Sequence, residues 1–349
     1  MVRRVFYTSP RETILKALKG ERTGRIPAAL VGGGMWSVYH HGISFEEMAA
    51  DASKMSGMLV AMAHKLRSDI VYAGSGYPNF PVAALGGRIK YREVGTPDLE
   101  EPPVSSEKDL ERLDLDRIDS DPVIDTIRTA FRETLVKIGR EYVVTVTAWG
   151  PFTLAARFVG EEVMMRALFK QPAYVHTLLD FATRLLIRFY EPLLHDRTLE
   201  VILLGDPTAS GDLISRKQFG QFVVPYLKRF NDWARSYEVH TIVHICGNTT
   251  DRLDMFPGTG ASCVSLDHKT DMAKAKETLH GTMCIAGNID PVKVLLQGTA
   301  EEVEEASKRV IETAGTEGGF ILMPGCDIPP TVPYENIQRF IQVAHEWRD

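Results

Sequence analysis

The stretch that decides the fold is Thr241-Ile-Val-His-Ile-Cys-Gly247. β-Branched residues that run into a glycine are typical of a short buried strand that ends in a turn. Side chains alternate along a strand, so His244 and Cys246 point to the same face where this strand ends. An imidazole and a thiol side by side are half of the ligand set of a zinc site. The remaining ligand would have to come from a distant part of the chain.

The best candidate for that ligand is Cys326 in Ile321-Leu-Met-Pro-Gly-Cys-Asp327, where another apolar run ends in a turn. Three protein ligands leave a fourth position on zinc for water or substrate. A thiol bound there would be deprotonated, and an ether oxygen would be polarised. The alternative is that these cysteines are small apolar core residues, the role we expect for Cys263 and Cys284.

The composition excludes several classes of protein. The chain has 349 residues, of which 44% are hydrophobic, and its net charge is −6. It has no basic stripe for nucleic acid and no apolar run of the roughly 20 residues that span a membrane. Four cysteines in this length are not a disulfide framework. The charged start, Met1–Pro10, is not followed by an apolar segment, so we expect no signal peptide and a cytoplasmic protein.

Seven further apolar runs alternate with helical segments. They are Ile26–Val31, Asp69–Tyr72, Tyr142–Ala148, Val201–Asp206, Ser262–Asp267, Met283–Asn288 and Gly319–Gly325. Strands that are apolar throughout are buried on both faces, which indicates a parallel sheet covered by helices. Eight such units predict a (β/α)₈ TIM barrel, with a doubly wound open sheet as the alternative. We expect one domain, residues 1–349, with an insertion at about 77–120 after the second strand.

Capping boxes mark the starts of three predicted helices. Ser9 with Glu12 begins the first, Ser44 with Glu47 begins a helix that runs to about Arg67, and Thr299 with Glu302 begins a late one.

Polar and aromatic residues stand where the predicted strands end. They are Trp149, Asp206, His244, Cys246, Asp267, Asn288 and Cys326. In a barrel these positions share one rim, where active sites lie. Asp206 is a candidate acid or base, a partner that holds His244, or a cap of the turn after Gly205, and Asp267 is a similar candidate.

Substrate contacts are expected from the same rim and from the loops that follow the early strands. The candidates are Met35, Trp36, Tyr72, Trp149 and Asn288. Together the aromatic and thioether groups would form a fairly apolar wall, with core packing as the alternative role.

Several segments resemble the uroporphyrinogen decarboxylase superfamily. They are Trp149-Gly-Pro-Phe-Thr-Leu154, the segment from Gly205-Asp-Pro to Ser215, His244-Ile-Cys-Gly-Asn248, Ser265-Leu-Asp267 and Gly287-Asn-Ile-Asp-Pro291. The resemblance covers nearly the whole chain and implies a (β/α)₈ barrel.

The superfamily has two main branches, and this chain resembles the corrinoid-dependent methyltransferases. True decarboxylases carry an arginine-rich segment after the first strand, whereas this chain has Val31-Gly-Gly-Gly-Met-Trp36 there. Without arginines, a substrate with several carboxylates would lack its ion-pair partners. The methyltransferase branch has a His-x-Cys and a distant Cys as zinc ligands, which His244, Cys246 and Cys326 match.

The resemblance therefore implies methyl transfer between a corrinoid and a small substrate, either a methyl-ether donor or a thiol acceptor. No Asp-x-His-x-x-Gly motif of cobalamin-binding proteins occurs in the sequence, so the corrinoid is expected on a separate partner protein. Two alternatives remain: a decarboxylase of a porphyrinogen-like acid, and a non-catalytic barrel stabilised by zinc that binds a partner.

Overall fold

The computed structural model of the protein describes residues 8–194 and 198–348. The start of the chain, on which the expectation about a signal peptide rests, lies mostly outside these residues. Within them, no helix combines the length and the apolar character needed to cross a bilayer.

The described residues form nine strands. They are β1 Ile70–Ala73, β2 Ile89–Lys90, β3 Asp98–Leu99, β4 Val143–Trp149, β5 Val201–Gly205, β6 His240–Ile245, β7 Cys263–Leu266, β8 Cys284–Ile289 and β9 Phe320–Pro324. Seven of them make one curled parallel sheet in the order β1-β4-β5-β6-β7-β8-β9, and β2 pairs with β3 as a separate hairpin. The sheet follows chain order because each strand returns through helices to lie beside its predecessor.

Seven of the eight predicted strands are confirmed, and the first is not. The segment expected as a strand at Ile26–Val31 makes only one parallel bridge, between Ala28 and Leu322. Its backbone nevertheless bonds to both edges of the sheet, because the amide of Leu322 donates to Pro27 O at 2.9 Å and that of Asp69 to Ala28 O at 2.8 Å. Pro27 has no N–H to donate to a ladder, which limits regular pairing here.

Fifteen helices lie among the described residues, and all but the first lie outside the inner face of the sheet. They are α1 Pro10–Leu18, α2 Gly34–His41, α3 Phe45–Ala49, α4 Ala52–Leu66, α5 Phe80–Ala84, α6 Glu107–Glu111, α7 Pro122–Ile138, α8 Pro151–Val159, α9 Glu161–Lys170, α10 Pro172–Leu194, α11 Arg216–Gln218, α12 Val224–Ser236, α13 Met272–Leu279, α14 Ala300–Ala314 and α15 Tyr334–Glu346. Short 3₁₀ turns lie at Leu115–Ser120, Pro207–Ala209 and Thr250–Thr259, and π turns at Phe219–Val223 and Pro291–Leu296.

The three predicted capping boxes are confirmed at α1, α3 and α14. The helix predicted from Ser44 to about Arg67 is wrong, because the chain ends α3 at Ala49 and starts α4 at Ala52. Asp51 causes the break, since its side chain accepts the amides of Ser53 and Lys54 as an N-cap.

Two hydrophobic cores share the sheet between them. The larger lies between the sheet and the outer helices. The smaller lies on the inner face, where alternate residues such as Val201, Ile242 and Ile321 meet Ile14 and Ala17 of α1. Helix α1 therefore packs against the inner face, and the inner-facing residues at the carboxyl ends of the strands lead towards the candidate site.

Candidate metal and substrate site

His244, Cys246 and Cys326 meet at the carboxyl ends of β6 and β9. The Nε2 atom of His244 lies 3.3 Å from Cys246 Sγ, and that sulfur lies 3.4 Å from Cys326 Sγ. One donor atom from each of the three residues lies within 4.8 Å of the others. Strand β6 sets the first two on one face, and the turn after β9 brings Cys326 to them from 80 residues away.

The orientation of the imidazole is fixed from the neighbouring strand. His244 pairs with Ser265 in the β6–β7 register, and its Nδ1 lies 3.0 Å from Ser265 Oγ. When Nδ1 carries the proton and bonds to this oxygen, the lone pair of Nε2 faces the two sulfurs. Such a bond to the second ring nitrogen is what usually orients a metal-binding histidine. Sequence reasoning missed this role of Ser265, because only the strand register places it beside His244.

The pKa values of the two thiols are shifted in opposite directions. The pKa of Cys326 is lowered, first because the Cys246 thiol donates to its sulfur and then because His244 lies beside it. The pKa of Cys246 is raised by the same hydrogen bond and by burial. One thiolate therefore forms readily, and a second one needs a further positive charge close by.

A zinc ion suits this donor set. Zinc binds Cys sulfur at about 2.3 Å and His nitrogen at about 2.0–2.1 Å, so donors about 3–4 Å apart can share one ion. Its charge would balance two thiolates, which the metal-free pair does not favour. The arrangement supplies three ligands from the described residues, so a fourth position would remain for another molecule.

A cavity of about 280 Å³ adjoins these side chains. Its wall comes mainly from the carboxyl ends of the strands and from the loops that follow them. The lining residues are Val31, Gly32, Ser75, Gly76, Pro78, Thr96, Thr147, Ala148, Trp149, Leu203, Gly205, Pro207, His244, Cys246, Cys326 and Asp327. Most of these groups are apolar or carry only a hydroxyl, and the metal ligands lie in the same wall.

Trp149 is the predicted substrate contact that the structure does place in this wall. Its indole N–H donates to Asn79 Oδ1 at 2.8 Å, and the guanidinium of Arg157 lies 5.7 Å from its ring centre. These contacts hold the ring in one orientation. Asn79 also donates to Pro97 O at 3.2 Å, so it links the indole to the β2–β3 hairpin.

Asp327 is a lining residue that sequence reasoning missed, although it follows Cys326 directly. Its Oδ1 accepts the amides of Gly33 and Ile328, each at 3.0 Å. The residue keeps some exposed surface, but burial of its carboxyl raises the pKa of Asp327 to about 7, and Cys326 adds to this. Its position after a strand-end cysteine could have been the clue.

Asp206 has a different place from the predicted catalytic one. Its carboxylate accepts the amides of Phe152 at 3.3 Å and Thr153 at 2.6 Å, and so caps α8 from the neighbouring strand. Burial raises the pKa of Asp206 to about 6, while the bonds from Thr153 and Phe152 oppose the shift. The side chain is fully buried and is not part of the cavity wall, so the capping alternative describes its contacts.

Asp267 and Asn288 also hold backbone rather than face the cavity. Asp267 Oδ2 accepts the amide of Gly247 at 2.9 Å, directly after Cys246. The side-chain amide of Asn288 donates from Nδ2 to Asp267 O at 3.1 Å and to Thr270 O at 3.0 Å. Both side chains therefore hold the backbone of the loops after β6 and β7, and their catalytic and substrate-binding roles stay predictions.

Met35, Trp36 and Tyr72 lie outside the cavity wall as well. Trp36 is fully buried and its indole donates to Val332 O at 2.8 Å, and half-buried Met35 packs on the same core. Tyr72 points into the inner core, where its hydroxyl has no partner among the described residues and burial raises its pKa. Core packing is the role that these contacts support.

A family model for uroporphyrinogen decarboxylase (URO-D) matches residues 9–347. The chain belongs to the URO-D family. This URO-D family protein is 31% identical to the methylcobamide:CoM methyltransferase MtbA of Methanosarcina mazei, over 98% of this chain and 99% of that one. It is 29% identical to the uroporphyrinogen decarboxylase of Myxococcus xanthus over 72% of each chain.

The solved structures agree with these relatives. A methyltransferase from Methanosarcina mazei superposes with a TM-score of 0.86 at 25% identity, over 97% of this chain and 99% of that one. The predicted family is thus confirmed, and methyltransferases stand among the relatives that match along nearly the whole URO-D chain.

Proposed function

We propose that this protein moves a methyl group between a corrinoid carried by a separate protein and a small substrate bound at a zinc site. The observation that carries the proposal is the His244–Cys246–Cys326 cluster at the wall of a cavity. A metal held only to stabilise the fold would be closed by four protein ligands, whereas this cluster offers three next to open space.

His244, Cys246 and Cys326 would hold the zinc, which when bound would favour the thiolate form of a thiol acceptor or polarise a methyl ether. The protein's own groups orient this centre. Ser265 sets the imidazole, and Asp267 sets the turn after Cys246. The Trp149 ring limits where a substrate can lie.

The reaction balances in either direction. With a thiol acceptor, the methyl group would pass from the corrinoid to sulfur, so that an S–C bond replaces the Co–C bond, whose electron pair stays on the corrinoid. The thiol proton would pass to solvent. With a methyl ether, the methyl group would pass to the reduced corrinoid, and the ether oxygen would keep the electron pair of the C–O bond and take a proton.

The corrinoid partner is supported by the relatives and by the sequence. Relatives matched along nearly their whole length are methylcobamide:CoM methyltransferases, and the cobalamin-binding motif Asp-x-His-x-x-Gly does not occur among the 349 residues. A corrinoid protein would have to present its cobalt at the cavity, at the carboxyl ends of the strands.

A decarboxylase is the second candidate, favoured by the relative from Myxococcus xanthus. Its substrate carries several carboxylates, and no residue of the described cavity wall is Lys or Arg. Such a substrate would lose its hydration without gaining ion-pair partners, which is costly.

Two points of the fold belong to this proposal. Pro27–Ala29 would act as the eighth member of a closed (β/α)₈ barrel, since it bonds to both edge strands. The segment at about 77–120 would be an insertion in a single domain, and it supplies Pro78 and Thr96 to the cavity wall.

The test measures methyl transfer to or from free cobalamins. The change in cobalamin absorbance reports the reaction. Zinc-loaded protein is mixed with methylcobalamin and small thiols, or with reduced cobalamin and methyl ethers, and compared with chelator-treated protein. Activity that disappears with the metal and returns when zinc is added supports the proposal. Equal activity without metal contradicts it, and metal-free release of CO₂ from uroporphyrinogen would favour the decarboxylase.

A further inference from the structure

The cavity wall contains an acidic residue but no Lys or Arg. Asp327 is the one Asp, Glu, Lys or Arg among the described lining residues, and the two cysteines are the other groups that can become negative. Zinc bound to two thiolates is electrically neutral. The wall would then carry no charge or one negative charge, depending on the protonation of Asp327, and a positive charge in neither case.

The nearby cations Arg157 and Lys269 do not line the described wall, and each lies beside a carboxylate. Arg157, which stacks on Trp149, lies 3.0 Å from Glu161 and 3.7 Å from Asp98, and its Nε has no hydrogen-bond partner among the described residues. Lys269, which is close enough to Cys246 for an electrostatic interaction, lies 2.9 Å from Asp212.

His268 also contacts two carboxylates. Its Nδ1 lies 3.0 Å from Asp267 and its Nε2 3.6 Å from Asp290. A negatively charged substrate group would have to compete with one of these existing pairs.

The rest of the wall suits an uncharged molecule. Trp149, Pro78 and Pro207 present flat apolar surfaces, and the indole N–H is occupied by Asn79. Asp327 uses Oδ1 for two backbone amides, and no hydrogen bond of its Oδ2 appears among the described residues. This second oxygen can therefore accept a bond from a substrate hydroxyl.

We propose that the small methyl-transfer substrate of this site carries no negative charge, because the described wall holds no Lys or Arg that could pair with a sulfonate or a carboxylate. An anionic group moved from water into this wall would lose hydration without a counter-ion. The favoured class is an uncharged methyl ether or thiol with a hydroxyl group. This chain would thereby differ from its relatives that act on CoM, because coenzyme M carries a sulfonate.

This inference rests on the proposed function, and its test separates the two. The probes are 2-mercaptoethanol and 2-mercaptoethanesulfonate, which share a two-carbon thiol and differ in the end group. Binding is measured without any corrinoid, from the thiolate-to-metal absorbance of Co²⁺-substituted protein. The uncharged thiol should bind at least about tenfold more tightly, since only the sulfonate must be desolvated unpaired.

A matched pair of variants sharpens the test. Thr96→Arg adds an unpaired cation to the wall and should raise the affinity for the sulfonate relative to that for 2-mercaptoethanol. Thr96→Gln adds a polar side chain without a charge and should not raise this ratio. Sulfonate binding as tight as that of the uncharged thiol, or binding of neither thiol, would overturn the inference.

Methyl transfer is then measured with methylcobalamin and the same two thiols. Selective binding of the uncharged thiol without any methyl transfer would support the inference about substrate charge and contradict the proposed function. Faster methyl transfer to the sulfonate would support the proposed function and contradict the inference about substrate charge.

Discussion

The protein contains two pairs of neighbouring cysteines, and only one pair has the surroundings of a metal site. Cys263 and Cys284 are partners in the β7–β8 register and are 0% and 1% exposed in the inner core. Cys246 and Cys326 are half-buried, adjoin the cavity and lie beside His244. Two thiols side by side are therefore not enough; an imidazole and an approach for a ligand separate the two environments.

The carboxylates repeat this contrast. Asp327 follows a strand end and lies in the cavity wall, whereas Asp206 follows another strand end and turns into the protein to cap α8. In both cases the same residue type at the same end of the sheet has a different role because its neighbours differ.

The largest expected effect is on metal content. Cys246→Ala and Cys326→Ala should lower zinc from about one ion per chain to almost none, because two ligands rarely hold zinc. Cys284→Ala is the matched control and should keep its zinc. Zinc is measured by elemental analysis and the fold by circular dichroism.

Retention of zinc by Cys326→Ala would contradict the assigned ligand set. If that variant instead unfolds while Cys284→Ala stays folded, zinc stabilises the fold. This outcome would favour the alternative of a non-catalytic barrel that binds a partner.

The second effect is on thiol reactivity in the metal-free protein. Cys326 should react with iodoacetamide at least about a hundred times faster than Cys263 and Cys284, which must wait for unfolding. Cys246, whose pKa is raised, should react more slowly than Cys326. The lowered pKa of Cys326 means that its labelling should persist when the pH is reduced from 8 to 6, where an ordinary thiol slows about tenfold per unit.

Peptide mass spectrometry measures the labelling rate at each cysteine. Burial raises the pKa of Cys263, so fast modification of that residue in folded protein would erase the contrast between the two pairs.

The third effect concerns Asp206 and the pH dependence of stability. Burial raises its pKa from 3.8 to about 6, so the folded state holds this proton at a pH where the unfolded state has lost it. Its contribution to stability is therefore full below about pH 4 and declines as the pH rises through about 6, by up to about 3 kcal/mol. Asp206→Asn should lack this decline in urea unfolding of metal-free protein.

Asp206→Asn should also keep methyl transfer within a few-fold, since the carboxylate does not line the cavity. A folded Asp206→Asn protein that binds zinc but transfers no methyl group would restore the predicted catalytic role.

The smallest effect is at the serine that orients the imidazole. Ser265→Ala should weaken zinc binding by about 10–100-fold, the usual consequence of losing a bond to a ligating histidine. The same two strands offer a matched control, because Ser262 Oγ lies 3.0 Å from Nδ1 of His240 away from the cluster. Ser262→Ala should leave zinc affinity unchanged, and competition with a chromophoric chelator measures both.

Much of the fold follows from the sequence because apolar runs report burial directly. The run at Thr241–Gly247 became β6 at His240–Ile245, and that at Gly319–Gly325 became β9 at Phe320–Pro324. The strand predicted at Ile26–Val31 did not form a regular ladder. Apolar character does not reveal whether backbone partners are available, and Pro27 lacks an amide hydrogen.

The cluster of His244, Cys246 and Cys326 could be predicted because these residue types at strand ends belong to one chemistry. The substrate wall could not, because it depends on which way each side chain turns. Trp36 and Tyr72 have suitable chemistry, but α2 buries the first and the inner face of β1 takes the second. Ser265 and Asp327 depend on strand register and loop geometry, which composition does not contain.

The bond between Trp149 and Asn79 has a consequence for engineering. The candidate metal ligands come from the end of β6 and the turn after β9, whereas Trp149 in the cavity wall is linked to the β2–β3 hairpin through Asn79 and Pro97. A redesign of that hairpin could retune which molecules enter while the metal ligands and their supporting serine stay in place. The candidate metal ligands and the contacts that hold Trp149 therefore lie on separate elements of the fold.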